Sequence, residues 1–232
     1  MHESLIRNLV GEIVVAGFTG LEVNDHALHL LATHQVRNVI LFSRNVAAKA
    51  QLQRLTADLQ ALAQRSGADL PLIICTDQEN GIVRRVAPDM PGLPGNMAVA
   101  ATGRSEWARE IGKATAAQLR SVGVNMNLAP VLDVNNNPHN PVIGVRSYGE
   151  DPQRVAELGV KMTRGLQESG VIACGKHFPG HGDTQVDSHL GLPVISHPES
   201  RLEAVELAPF RAAIQAGIDV LMTAHVVSAL MG

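Results

Sequence analysis

The chain alternates between short apolar runs and stretches in which apolar residues recur with a helical period. Most of the apolar runs lack alternation of polar and apolar residues, which is typical of strands buried on both faces of a parallel sheet. Six runs predict β-strands, over residues 12–18, 38–42, 70–76, 124–133, 171–178 and 219–226.

The stretches between these runs predict amphipathic helices. Residues 51–64 carry a regular apolar stripe, formed by Leu52, Leu55, Leu59 and Leu62. Looser stripes cover residues 108–122 and 155–166, and the second of these begins with Asp151-Pro152, an N-cap followed by proline in the first turn. A fourth stripe covers residues 202–214, where Pro209 predicts a kink or a break. These stripes are expected to face the core.

Strands that alternate with helices predict an α/β fold with βαβ units, either a doubly wound sheet or a TIM-type (β/α) barrel. No Gly-x-Gly-x-x-Gly motif follows the first strand, and candidate functional residues follow at least four strands, which favours the barrel. A complete barrel has eight strands, so the six predicted here indicate an incomplete barrel with about six of eight βα units. No linker or shift in composition divides residues 1–232, which predicts a single domain.

Composition narrows the class of partner. Aromatic residues make up 3% of the chain, and the net charge of −3 is spread without blocks. This disfavours nucleic acid or an anionic membrane as the main partner. No run approaches the roughly 18 apolar residues of a membrane span, and no signal peptide is evident, so a cytoplasmic location is expected. Cys75 and Cys174 lie in strand-like runs and are expected to be small buried residues.

The segment 176–193 holds the densest set of titratable groups in the chain. It begins at the end of the fifth predicted strand, where α/β folds place their chemistry. Lys176 and His177 are suited to binding hydroxyl groups there. His189 follows Asp187 by two residues, so both side chains can point to one side of an extended loop. A neighbouring carboxylate orients an imidazole and favours its protonated form, which predicts a proton donor.

Other strand ends contribute further candidates. Asp77 follows the third strand, and Arg85 follows eight residues later, so the two could hold sugar hydroxyls by charge-assisted hydrogen bonds. A capping aspartate with surface arginines is the alternative. Arg146 lies in a long polar loop over residues 133–149, as a substrate clamp or as a surface arginine.

A metal site is the rival interpretation of the segment after the fifth strand. Nitrogen and oxygen ligands could come from His177, His181, Asp183 and His189. The chain has neither a helical His-x-x-x-His pair nor a Cys-x-x-Cys pair, either of which would make this interpretation specific. A metal-dependent hydrolase is therefore the weaker alternative.

The motifs also resemble those of a known family. Lys176-His-Phe-Pro-Gly-His-Gly182, followed by Asp187-Ser-His189, resembles the family 3 glycoside hydrolases, in their bacterial β-N-acetylglucosaminidase branch. Further segments that look like this branch run along the chain: Ile40-Leu-Phe-Ser-Arg-Asn45, Asp77-Gln-Glu79, Leu128-Ala-Pro-Val-Leu-Asp133 and Ile143-Gly-Val-Arg-Ser147.

The resemblance implies a TIM-type barrel that hydrolyses terminal β-linked N-acetylglucosamine with retention and without a cofactor or metal. His189 would be the acid/base and Asp187 its orienting partner, in place of the second carboxylate that most glycosidases use. The sugar would be bound by Asp77, Arg85, Arg146, Lys176 and His177. The expected partner is a small-molecule glycoside, derived from the cell wall (muropeptide type) and processed in peptidoglycan recycling; the oligomeric state stays open.

Two departures from the family pattern matter. Asn80-Gly81-Ile82 stands where the family commonly has Gly-Gly-Arg. The family's nucleophile is an aspartate after the seventh strand, which is expected beyond Gly232. Two alternatives therefore stay open beside hydrolysis, namely an N-acetylglucosaminide phosphorylase and a degenerate sugar-binding barrel that lacks the nucleophile.

Overall fold

The computed structural model describes residues 2–86, 88–184, 191, 193–195 and 197–228. The chain divides into two compact units, which are described separately. The first comprises Met1–Gln78, Arg85–Pro91 and Ala117–Asn127, and the second comprises Glu79–Arg84, Gly92–Ala116 and Leu128–Gly232. The prediction of a single domain over residues 1–232 stays a prediction.

The first unit is built on four parallel strands in the order β1-β2-β3-β4. Asn38 pairs with Ile73 and Leu41 with Thr76 in the central β2–β3 ladder. Its helices and strands are α1 (His2–Ile13), β1 (Val15–Ala16), α2 (Asp25–Leu28), β2 (Asn38–Leu41), α3 (Lys49–Arg65), β3 (Ile73–Thr76) and β4 (Met126–Asn127). A short π-helical segment, His29–Thr33, follows α2.

The apolar stripe of α3 is buried, as predicted, and it forms the core of the first unit together with β2 and β3. The Asn125 side chain extends the strand hydrogen bonding here. Its Oδ1 accepts from the Ile74 backbone N–H at 2.8 Å, and its Nδ2 donates to the Leu72 carbonyl at 2.8 Å. A side-chain amide thus satisfies backbone groups where β4 is too short to do so.

The second unit contains two parallel strand pairs, β5 with β7 and β6 with β8. Lys176 of β5 also bridges to Val131 in parallel. The elements are α4 (Asn96–Ala101), α5 (Glu106–Ser121, whose last residues belong to the first unit), α6 (Pro152–Glu168), β5 (Ile172–Phe178), β6 (Val194–Ile195), α7 (Glu199–Ala204), α8 (Ala208–Gln215), β7 (Val220–Thr223) and β8 (Val227–Ser228).

Two helix predictions in this unit hold in detail. The Asp151 side chain accepts a hydrogen bond from the Gln153 backbone N–H at 2.9 Å, so α6 begins with the expected N-cap. The fourth predicted helix is two helices, α7 and α8, and Pro209 lies in the first turn of α8, where its missing N–H costs nothing. Phe210 of α8 packs edge-to-face on Phe178 of β5, with ring centroids 5.5 Å apart.

The predicted α/β organisation on parallel strands is confirmed, and each of the six predicted runs contains a strand. The first run was placed too early, because residues 12 and 13 end α1. Helices α1, α2 and α4 and strands β6 and β8 were not predicted; α2 and α4, of 4 and 6 residues, are too short to show a period. Cys75 and Cys174 are buried, as predicted, and they form no disulfide. No helix in the described part of the chain combines the length and apolar character needed to cross a membrane.

Candidate active site

A buried carboxylate binds two of the predicted sugar-binding residues in the second unit. Arg146 holds Glu79 with two parallel hydrogen bonds, from Nη2 to Oε1 at 2.7 Å and from Nε to Oε2 at 2.8 Å. The Lys176 ammonium lies 2.6 Å from the same Oε1. Arg146 ends a 3-10 turn and Lys176 lies near the end of β5, so Glu79 joins the two segments. The bidentate arrangement is the strongest form of this pairing.

The electrostatics of this cluster favour donation of hydrogen bonds. Burial by itself would raise the pKa of Glu79, but the hydrogen bond from Arg146 and the charge of Lys176 outweigh burial and hold the pKa below its ordinary value of 4.5. Glu79 is therefore ionised near neutrality. Both side chains that bind Glu79 are cations that carry N–H donors, and such residue types suit an oxygen-rich ligand.

The Arg146 segment is also fixed from other directions. Its Nη1 donates to the Val142 carbonyl at 3.1 Å, and its own carbonyl accepts from Asn96 Nδ2 at 2.7 Å. The Arg146 side chain is 15% exposed, whereas that of Lys176 is 2% exposed. Arg146 is thus the accessible member of the cluster, and Lys176 lies beneath the surface.

His177, the next residue of β5, is held by a second buried carboxylate. His177 Nδ1 lies 2.6 Å from Asp133 Oδ2, and the Asp133 side chain is fully buried. The backbone N–H groups of His177 and His181 also donate to Asp133, at 3.2 Å and 2.7 Å. Burial would raise the pKa of Asp133, but the His177 ring and these N–H donors lower it below its ordinary value of 3.8.

The turn after β5 is tightly constrained before residue 185. His181 is buried, and its Nδ1 lies 2.6 Å from Thr184 Oγ1. Asn140 Nδ2 donates to the carbonyls of His181 and Thr184, at 2.8 Å and 3.0 Å. A Cβ atom at Gly182 would lie 1.7 Å from the Val134 carbonyl oxygen, so only glycine fits there. These contacts determine where the following segment begins.

A further polar cluster follows this turn. His197 Nε2 lies 2.9 Å from Asp183 Oδ2, while Arg201 Nη2 lies 3.2 Å from the same atom and 3.0 Å from Glu206 Oε1. In the described ranges, Asp183, His197 and Glu206 are the one group of acids and histidines whose ligand atoms converge. The Arg201 guanidinium already supplies positive charge there, so the cluster is read as an ion-pair network.

The metal alternative named a different set of ligands, and the geometry gives it little support. His177 Nδ1 faces Asp133, and His181 Nδ1 faces Thr184. His189, its fourth proposed ligand, lies outside the described residues. In the part of the chain that the structure describes, His177, His181 and Asp183 are not a converging ligand set.

Asp77 and Arg85 belong to the first unit, and both are partly buried. Asp77 directly follows β3, as predicted. Gln78 beside it is buried, and its Oε1 accepts from the backbone N–H groups of Arg85 and Val86, at 2.9 Å and 3.2 Å. Gln78 Oε1 therefore fixes the chain at Arg85 relative to the end of β3, although its role was not predicted.

Asp187 and His189, the predicted catalytic pair, lie outside the described residues. Their roles stay predictions. Glu79 and Asp133 are the functional candidates that sequence reasoning missed, since both were noted only as parts of motifs. One signal could have found them: two basic side chains and a histidine near buried strand ends need buried acids as partners.

The departure at Ile82 changes the surface beside Glu79. Ile82 is 72% exposed, and it lines an apolar cavity of about 340 Å³ together with Met97 and Val145. Arg146 and Glu79 also line this cavity. Asn80 preserves the turn at a positive φ of 70° and donates to Thr115 Oγ1 at 2.9 Å. An arginine at position 82 would give this cavity a charged wall, and isoleucine makes the wall apolar.

The fold and the site define a class of protein. Residues 5–231 match the family described as the glycosyl hydrolase family 3 N terminal domain. The chain belongs to this family, which confirms the resemblance inferred from the motifs.

Comparison with individual proteins of the family gives more detail than the family match. The chain is 42% identical over 202 residues to beta-hexosaminidase A of Pseudoalteromonas piscicida, over 85% of this chain and 34% of that protein. It is 50% identical, with a TM-score of 0.94, to a family 3 β-N-acetylglucosaminidase from Paenibacillus sp. str. FPU-7, over 96% of this chain and 42% of that one. NagZ from Neisseria gonorrhoeae, solved with N-trifluoroacetyl-D-glucosamine, is 35% identical with a TM-score of 0.84, over 93% of this chain and 64% of that one.

These similarities confirm the predicted fold class, an incomplete barrel of the TIM type. The chain spans less than two thirds of the length of each of these three relatives. The matched region, residues 5–231, therefore includes the Glu79 cluster but corresponds to only part of the relatives' own chains.

Proposed function

We propose that the chain provides the sugar-binding and acid/base part of a retaining exo-β-N-acetylglucosaminidase. The observation that carries this proposal is the Glu79 cluster, in which one buried carboxylate holds two of the predicted sugar-binding side chains, Arg146 and Lys176. The names of the relatives support the choice of sugar, because they are β-hexosaminidases and β-N-acetylglucosaminidases. The proposed substrates are small glycosides with terminal β-linked N-acetylglucosamine, of the kind derived from the cell wall.

The proposed binding step uses both the cations and the carboxylate of the Glu79 cluster. Arg146, the accessible cation, donates to sugar oxygens, and Lys176 supports it from beneath through Glu79. Burial of Glu79 keeps the cations oriented before the sugar arrives, so little reorganisation is needed on binding. The sugar-binding roles of Asp77, Arg85 and Lys176 that the family resemblance implies stay predictions.

The proposed chemistry is double displacement through a covalent glycosyl–enzyme. His189, oriented by Asp187, donates a proton to the leaving oxygen, and it then takes a proton from the water that releases the sugar. An imidazole can serve both steps because it gains and loses a proton near neutrality. None of the residues proposed to bind the sugar or to move the proton is the nucleophile.

The binding part is tested by titrating the chain with N-acetylglucosamine, and with glucose for comparison. Arg146→Met should weaken N-acetylglucosamine binding at least about tenfold, since a hydrogen bond to a charged group contributes about 1.5–3 kcal/mol. Arg154→Met is the matched control, because Arg154 pairs with Glu157 on the surface of α6. Equal affinities of the two variants would remove the cluster from the sugar site.

The acid role of His189 is tested with aryl N-acetylglucosaminides whose leaving groups differ. His189→Ala should slow cleavage strongly for a poor leaving group and much less for an activated one, because only the poor one needs a proton. Equal losses with both would contradict the role. Turnover by the 232-residue chain would exclude the degenerate alternative. Formation of sugar 1-phosphate in phosphate buffer would favour a phosphorylase, and chelator-sensitive activity would favour a metal-dependent enzyme.

A further inference from the structure

The surroundings of Asp133 favour the ionised form of its carboxyl group. Its side chain is fully buried, and it receives hydrogen bonds from the backbone N–H groups of His177 and His181. An ionised carboxylate can only accept hydrogen bonds. Both oxygens are therefore engaged as acceptors, with Oδ1 facing the His181 N–H and Oδ2 facing the His177 ring.

This arrangement settles where the His177 ring carries its proton. Nδ1 lies 2.6 Å from Asp133 Oδ2, and two acceptors cannot share that distance without a proton between them. Nδ1 is therefore the protonated nitrogen, and in the neutral ring Nε2 is an acceptor. The His181 ring packs edge-to-face against His177, with centroids 6.1 Å apart, and limits rotation of the ring.

We propose that Asp133 is a positioning residue for sugar binding, which fixes His177 in its Nδ1–H form and directs Nε2 to accept a hydrogen bond from a sugar hydroxyl. The sugar contact rests on the proposed function, whereas the state of the ring does not. Arg146 and Lys176 have only donors, so His177 Nε2 adds an acceptor to this side of the site. A hydroxyl group can use both kinds of partner at once, but fluorine at the same position cannot donate.

The state of the ring is measured by long-range ¹H–¹⁵N NMR of the histidine side chains in the full chain. The His177 signals are assigned by their loss in His177→Gln. The proposal expects the Nδ1–H form in the unsubstituted chain at neutral pH. A His177 ring in the Nε2–H form, or a ring protonated at both nitrogens at neutral pH, would overturn the proposal, and this measurement needs no variant of Asp133.

Asp133→Asn should then reverse the direction of the hydrogen bond between residue 133 and His177 Nδ1. The amide oxygen can still accept from the His181 N–H, which places the NH₂ group against His177 Nδ1. The ring should switch to its Nε2–H form, and affinity for N-acetylglucosamine should fall about tenfold or more. Asp58→Asn, the same change at an exposed residue of α3, should alter neither the ring nor the affinity. An unchanged His177 form in folded Asp133→Asn would contradict the proposal.

The sugar contact is tested with deoxyfluoro analogues of N-acetylglucosamine, one for each ring hydroxyl. One analogue should lose at least about tenfold in affinity for the unsubstituted chain, and much less for Asp133→Asn, whose Nε2–H can donate to fluorine. Equal losses for both chains would contradict the contact. Absence of any sugar binding, together with the expected switch of the ring, would reject the proposed function and leave the control of His177 by Asp133 supported.

Discussion

Replacing Glu79 with glutamine removes one buried negative charge, to which two cations, Arg146 and Lys176, are bound. Glutamine keeps the shape of the side chain and one acceptor oxygen, so the change tests charge and leaves packing intact. The side chains of Glu79 and Lys176 are each 2% exposed, and that of Arg146 is 15% exposed. Water therefore has too little access to the Lys176 ammonium group to solvate it once the Glu79 charge is removed.

The size of the expected stability loss follows from the burial of Glu79 and Lys176. Removing one partner of a buried ion pair costs about 3–5 kcal/mol, because the remaining charge stays desolvated. We expect about 3 kcal/mol for Glu79→Gln, the lower end, because the amide oxygen can still accept one hydrogen bond and Arg146 is partly solvated. Urea unfolding measures the loss as a lower midpoint at an unchanged slope.

The control is Glu168→Gln. Glu168 Oε2 accepts from both Arg109 Nε and Arg109 Nη2, at 3.0 Å and 2.7 Å, so this is also a doubly hydrogen-bonded arginine–glutamate pair. It uses one carboxylate oxygen where Arg146 uses both oxygens of Glu79, and both of its side chains are exposed. The loss of stability in Glu168→Gln should be much smaller than in Glu79→Gln, because solvent screens the Arg109–Glu168 pair. If the two variants lose equal stability, burial is not what makes the Glu79 cluster strong.

The pH dependence gives a second check. The folded-state pKa of Glu79 lies below 4.5, so its contribution to the free energy of unfolding is complete above about pH 4.5 and is lost as the pH falls through the folded-state pKa. The difference between the unsubstituted chain and Glu79→Gln should therefore be constant near neutrality and should shrink in acid. A stability difference that grows in acid would refute the assignment of a lowered pKa to Glu79.

Three further predictions concern other parts of the second unit. Arg201→Met should cost about 2 kcal/mol in urea unfolding, because it leaves the buried Glu206 carboxylate without its cation. Gly182→Ala should cost about 3 kcal/mol or prevent folding, since its Cβ would lie 1.7 Å from the Val134 carbonyl oxygen. Burial raises the pKa of Tyr148, the one tyrosine of the chain, so absorbance near 295 nm should show no tyrosinate at about pH 11 while the chain is folded.

Each of these has a clear contrary result. Unchanged stability of Arg201→Met would mean that Glu206 is compensated by other groups. A stable Gly182→Ala variant would show that the turn after β5 can move away from the Val134 carbonyl. Tyrosinate formation near pH 10 in the folded chain would place the Tyr148 hydroxyl in contact with water.

The sequence by itself determined six of the strands, the main amphipathic helices and several strand-end positions from which chemistry can come. The stripe of α3 and the cap of α6 are local patterns, and residues within one turn or one strand report them directly. The same holds for the placement of Asp77, Lys176 and His177 at strand ends, because a strand boundary is visible in the sequence. The Asp187–His189 pair is also a local motif, and its role stays a prediction.

Only the tertiary structure decided which charges meet. Glu79 and Arg146 are 67 residues apart, and Asp133 and His177 are 44 residues apart. No local period relates such residues, because the path of the chain between them sets their distance. A buried charge must find a partner, but the sequence offers many acids and bases, and desolvation selects among them only after packing has excluded water. Folding therefore converts Glu79 and Asp133 from members of motifs into the two carboxylates that hold Arg146, Lys176 and His177.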